Sequence, residues 1–101
     1  MTYCSASDVR LIVDTTLTDA EIERLIEMSD AEIDRELGPQ QEADALVRKL
    51  SMLLTALTVR SRDPESFAVG EYSERAGDVA EAWRREVEEI KRLYRSSLRR
   101  V

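Results

Sequence analysis

Apolar residues recur at helical spacing through most of this chain, and polar residues mark where each run starts and stops. The clearest run is Ile22, Leu25, Ile26, Ser29, Ile33 and Leu37, one stripe along an α-helix. Thr18-Asp19-Ala20-Glu21 precedes it as a capping box, with Leu17 and Ile22 at the two positions of a hydrophobic staple. Asp19 and Glu21 suit the positive end of the helix dipole. Gly38 supplies a left-handed residue after the last turn, and Pro39 prevents continuation. The opposite face carries Glu23, Glu27, Asp30 and Asp34, an acidic stripe expected to be solvated or to receive a basic partner.

Three further helices follow from the same reasoning. Ser5-Ala6-Ser7-Asp8 fits a capping box for a short first helix with Val9, Ile12 and Val13 on its apolar face, ended by Asp14, Thr15 and Thr16. A third helix is expected from about Gln41 to Arg60, with Ala43, Leu46, Val47, Leu50, Leu53, Leu54 and Leu57 as its core stripe. Ala45, Met52, Ala56 and Val59 widen that stripe until the later turns are apolar nearly all round. Such a helix is central in its bundle or covered by another subunit, so Met52 and Val59 are either core residues or oligomer contacts. A last helix starts at Asp78, with Ala80, Trp83, Val87, Ile90, Tyr94 and Leu98 on its apolar face, and extends about 34 Å at 1.5 Å per residue.

Residues 61–77 are the irregular stretch, expected to be a mobile loop. Asp63-Pro64-Glu65-Ser66 reads as a turn, and Phe67, Val69 and Tyr72 give a weak strand or hairpin signal broken by Gly70. Loops this long are commonly functional or disordered. The expected architecture is therefore one all-α domain over residues 1–101. It is a small four-helix bundle with a short first helix, a long loop and a long closing helix.

Charge changes this picture. Residues 14–44 hold eleven acidic side chains against Arg24 and Arg35, a local net charge of −9. Residues 91–101, the basic helical tail, hold Lys91, Arg92, Arg95, Arg99 and Arg100 and no acid, a local +5 inside a chain of net charge −6. A molecule divided in this way can pack its tail against a neighbour's front, or offer its ends to different partners.

Candidate chemistry is sparse. The chain has no histidine, which removes the commonest general base and metal ligand. Cys4 is its one thiol, expected to be a small buried filler near the first helix. The i, i+4 pairs Glu23/Glu27 and Asp30/Asp34 could share a hard cation, but nothing nearby completes a coordination shell. Gly38, Gly70 and Gly77 are isolated and form no phosphate loop. No catalytic, cofactor-binding or metal residue is assigned, and no enzyme activity is expected. Neither a membrane-spanning run nor a secretory leader is expected.

In their order the segments resemble the small head–tail connector (adaptor, or head completion) proteins of tailed bacteriophages and related proviruses. The motifs that carry the resemblance are Tyr3-Cys4-Ser5-Ala6-Ser7-Asp8-Val9-Arg10, Leu17-Thr18-Asp19-Ala20-Glu21-Ile22 leading into Leu25-Ile26, and Ala31-Glu32-Ile33-Asp34-Arg35-Glu36-Leu37-Gly38. An apolar helix follows, then Val69-Gly70-Glu71-Tyr72-Ser73-Glu74 and the long closing helix. The resemblance implies a structural virion protein, assembled in the host cytoplasm and sited at the head–tail junction. Its partners would be copies of itself in a ring of about twelve subunits, the portal protein, and a stopper or tail completion protein. The ring extends the DNA channel and touches DNA only passively. By the same likeness the loop and closing helix face neighbouring components, which points to Phe67, Val69, Tyr72, Tyr94, Arg95, Arg99 and Arg100. The chain departs from the family in ending soon after its last helix. A different reading is a small helical regulator whose basic C-terminal helix binds nucleic acid.

Overall fold

Capping chemistry sets the start of each of the first three helices. In the computed structural model, which describes residues 2–38, 44–62, 67–68 and 79–99, α1 covers Ala6–Arg10. The Ser5 side chain accepts from the Asp8 N–H (3.2 Å) and the Asp8 carboxylate accepts from the Ser5 N–H (2.9 Å). The helix is shorter than its apolar pattern suggests. The chain leaves it at Leu11, and Val13–Asp14 becomes a short strand, β1. It pairs antiparallel with β2 (Phe67–Ala68), Val13 opposite Ala68 and Asp14 opposite Phe67. The strand signal at Phe67 therefore finds a partner in the segment after the first helix, while Val69 to Tyr72 lie outside the described residues. Ile12, Val13, Thr15 and Thr16 are β-branched and favour the extended backbone this requires.

Helix α2 spans Asp19–Leu37, and its capping box forms as the sequence indicates. The Glu21 N–H donates to Thr18 Oγ1 (3.2 Å) while the Thr18 N–H donates to Glu21 Oε1 (3.1 Å). All six stripe residues are buried. Gly38 ends the helix with φ +86° and ψ 157°, outside the left-handed helical region and in territory open essentially to glycine alone. Its N–H donates to the Asp34 carbonyl (2.9 Å).

Helix α3, Ala45–Arg62, begins on Asp44, whose side chain accepts from the Val47 N–H (2.9 Å). Asp44 thus acts as the cap at a point the apolar pattern places inside the helix; Gln41 to Ala43 lie outside the described residues. Arg62 is still helical, so the irregular stretch starts later than residue 61. Buried positions on α3 run right round its axis: Val47, Leu50, Ser51, Leu53, Thr55, Ala56 and Val59. Helix α4, Val79–Arg99, buries Trp83, Val87 and Ile90 as its spacing foretells.

Together these elements make a small all-α bundle of four helices with a minimal strand pairing. Contacts from Asp44 to Tyr94, Lys49 to Glu86 and Arg60 to Trp83 run α3 antiparallel to α4. Ser29 to Thr55 ties α2 to α3 in the same antiparallel sense as their short connection demands. α3 lies between α2 and α4, and α1 rests across α2 and α3. One continuous core results, reaching from Cys4 and Val9 through Ile26, Ile33, Leu50 and Leu53 to Trp83 and Ile90. Each fully buried side chain of this kind contributes about 1.5–3 kcal/mol by its removal from water.

Candidate interaction surfaces

The acidic face of α2 divides into two parts. Glu23 and Glu27 are exposed, as expected of a solvated stripe. Asp30 is not: it is 8% exposed and faces the bundle. Its Oδ2 accepts from the Tyr3 backbone N–H (2.8 Å) and its Oδ1 from the Ser51 hydroxyl (2.7 Å). Asp34, half-buried one turn later, accepts from the Tyr3 phenol. The expectation of four solvated carboxylates is corrected on this point, because the N-terminal segment folds back over Asp30 and Asp34.

The same segment seats Cys4 against α3. Cys4 Sγ lies 3.2 Å from Ser51 Oγ, and since that hydroxyl's proton goes to Asp30, the thiol is the donor. Burial, with the nearby Asp30 carboxylate adding to it, pushes the Cys4 thiol up to about 11. Burial also raises the Asp30 carboxyl above the ordinary carboxylate range, against the lowering effect of its two donors. An inert thiol beside a desolvated carboxylate is a structural lock, not a nucleophile and its base. Next to it, the Thr55 hydroxyl donates to Ser29 Oγ (3.0 Å), and Ser29 donates to the Leu25 carbonyl (3.1 Å).

The basic tail is also divided. Lys91 is 6% exposed and pairs with Glu36 across α2 and α4 at 2.8 Å, so it belongs to the bundle and not to a projecting tail. Arg92 is exposed. Arg95 and Arg99 follow on the α4 backbone, while Arg100 lies outside the described residues. Tyr94 is half-buried, and its phenol donates to Asp44 (2.6 Å to Oδ2). That bond holds Asp44 below the usual carboxylate range, and burial together with the Asp44 carboxylate pushes the Tyr94 phenol up.

Other residues expected at a subunit interface separate in the same way. Val59 is wholly buried in the core and has no surface to offer a partner, a correction that follows from the central position of α3. Met52 packs against the core but stays half-buried. Phe67 stands in β2, whereas Val69 and Tyr72 lie outside the described residues.

Large apolar side chains remain exposed at two places on the helices. At one end of the bundle, Leu46 (42% exposed) and Leu93 (50%) share a shallow depression with Asp44 and Tyr94. At the other end, a groove is lined by Leu17, Glu21, Arg24, Leu25, Met28 and Arg62, with Met28 59% exposed. Leu46 and Arg62 are sixteen residues apart on α3, so the two places stand about 24 Å apart along that helix. Among the described residues, no group of three or more His, Cys, Asp or Glu could hold a metal ion, and no helix is long and apolar enough to cross a membrane.

Sequence reasoning missed Tyr3, Ser51 and Asp44. Ser51 and Thr55 did leave a signal, as hydroxyls at i, i+4 on a helix otherwise greasy on every side. Comparison with protein-family models, curated proteins and solved structures finds no significant match to this chain.

Proposed function

We propose that this chain is a structural ring subunit of a head–tail connector. It would join a portal vertex to a tail or stopper protein and extend the channel through which DNA passes. The observation that carries this reading is its divided surface. Glu23 and Glu27 stay exposed on α2, Arg92 is exposed on α4, and the sequence past Tyr94 carries Arg95, Arg99 and Arg100 with no acid. Apolar side chains left in water at both ends of the bundle favour a subunit that is covered by neighbours. The motif resemblance supports the rest: the order of helices and the long closing helix resemble those of the connector proteins. On this reading the molecule performs no covalent chemistry, and portal and tail-side proteins are its partners beside its own copies.

Sedimentation at two salt concentrations and over a wide protein range tests the proposal. Growth into a closed oligomer of roughly a dozen copies, with rings in electron micrographs, is the expected result. A stable dimer that retards duplex DNA, with an affinity falling steeply as salt rises, would instead establish the nucleic-acid-binding regulator.

A further inference from the structure

The groove where α2 begins and α3 ends combines a fixed apolar surface with two cations that have no direct partner. Its Leu17 side is held in place. Arg10 donates to the Leu17 carbonyl (2.7 Å) and pairs with Asp19 (2.9 Å), and the Leu17 N–H donates to Thr15 Oγ1 (3.2 Å). Leu25 is buried and Met28 is 59% exposed, so the surface includes one adaptable thioether open to water. Arg24 from α2 and Arg62 from α3 line the same groove, and both are exposed. Unlike Arg10, neither guanidinium is held by an ion pair or hydrogen bond among the described residues. Glu21, an acid that also lines the groove, is engaged at the helix cap. Its carboxylate accepts from the Thr18 N–H (3.1 Å) and the Thr18 hydroxyl (3.1 Å).

We propose that this groove takes a segment of another protein that presents a large apolar side chain beside one or two carboxylates. The apolar side chain fills the hollow between Leu17, Leu25 and Met28, and the carboxylates meet the guanidinium forks of Arg24 and Arg62. Charge complementarity selects this occupant over two others. A basic segment meets the two arginines and is repelled. A nucleic-acid backbone has no apolar side chain for the hollow, and its continuous negative charge runs into Glu21, Glu23 and Glu27 on the same turns of α2. Negative charge is therefore accepted only where Arg24 and Arg62 stand, which favours an isolated acid next to an apolar anchor. Because Arg10 already fixes the Leu17 side, little ordering is needed before the partner binds. The inference holds for a single subunit and does not depend on the ring reading above.

A displayed library of random peptides, panned on the immobilised full chain, supplies the probe. The selected sequence is then made as a fluorescein-labelled peptide and its binding followed by anisotropy. Peptides with Asp or Glu within one helical turn of Leu, Met or Phe are the expected product. Met28→Asp, and the double variant Arg24→Glu with Arg62→Glu, should each weaken binding at least about tenfold. All three positions are exposed, so circular dichroism and melting of the variants should match the parent. Changing the acids of the peptide to lysine should abolish binding to the parent and restore it to the double variant. Selection of no peptide, of basic peptides, or of peptides that bind the variants as well as the parent overturns the proposal. So does a double variant that loses self-association or DNA retardation shown by the parent while no acidic peptide is selected, since the groove then belongs to a second copy or to nucleic acid.

Discussion

Removing the Asp30 carboxylate should release the N-terminal segment, and Cys4 provides a built-in reporter of that release. In Asp30→Ala the Tyr3 N–H and the Ser51 hydroxyl both lose their acceptor. A hydrogen bond to a charged group contributes about 1.5–3 kcal/mol, and two are lost here. Part of that is returned, because the variant no longer buries a carboxylate, whose cost is visible in the raised titration of Asp30. A net loss of about 2 kcal/mol is the central expectation, which multiplies the opening equilibrium of the segment roughly 30-fold. Thiol labelling with an aromatic disulfide at pH 8 reads this directly. A free thiol is about one-quarter ionised there, whereas Cys4, pushed up to about 11, is about 0.1% ionised and buried as well. Labelling must therefore pass through an open state, and its rate should rise about 30-fold in Asp30→Ala. Asp34→Asn disturbs the Tyr3 phenol contact alone and should raise the rate only a few-fold. A rate within twofold of the parent in a folded Asp30→Ala protein would refute the lock.

Two other expectations follow from the titrating groups and the buried ion pair. Cys4 and Tyr94 both have pKa values raised by folding, so their contribution is complete below the unfolded values and is lost as pH rises through the folded ones. Unfolding free energies from urea titration should fall above about pH 9 by up to about 1.4 kcal/mol per pH unit through Cys4, and Tyr94, whose phenol bond is open to solvent, adds a smaller fall above about pH 10 that Tyr94→Phe should remove. Glu36→Ala leaves the Lys91 ammonium buried without its partner and should cost about 2–4 kcal/mol, whereas Lys91→Met leaves a carboxylate that is 26% exposed and should cost less than about 1 kcal/mol. Equal losses from the two changes, measured by denaturant unfolding, would show that the pair's cost does not lie in the buried cation.

The parts of this fold that are legible in the sequence are those decided within one turn of helix. The capping boxes at Ser5 and Thr18, the α2 stripe and the stop at Gly38 depend on residues a few positions apart, so spacing alone locates them. The closing helix is readable for the same reason, as Trp83, Val87 and Ile90 repeat regularly. What stays hidden is decided by segments far apart in the chain. Asp30 and Lys91 look like surface charges until Tyr3 and Glu36 arrive from elsewhere. The Val13–Asp14 strand exists because Phe67–Ala68 comes to lie beside it, and two residues carry no periodicity. Val59 was ambiguous because an all-round apolar helix is equally consistent with a central position and with a subunit contact. The exposed positions are half legible: Glu23, Glu27 and Arg92 from charge, but Leu46, Leu93 and Met28 only once the helices are assembled.

A helix that is apolar on every side has no preferred rotation, because turning it exchanges one leucine for another at little cost. The later turns of α3 come close to this, while exposed Arg48 and Lys49 mark a solvent side on the earlier ones, so part of its setting comes from something other than greasiness. The two hydroxyls of Ser51 and Thr55 supply it. In the observed rotation they meet Asp30 and Ser29, and no other hydroxyl or carboxylate on α2 stands buried opposite them. Turning α3 away would leave buried polar groups without partners at about 1–3 kcal/mol each, while the exchanged leucines would recover little. Two weakly apolar residues thus help define where the strongly apolar ones point. With that rotation fixed, Val59 goes inward, and Leu46 is held outward at the end of the bundle beside Leu93. The exposure of Leu46 at that end is therefore tied to the buried contacts around Asp30, so the surface and the core of this small bundle are parts of one arrangement.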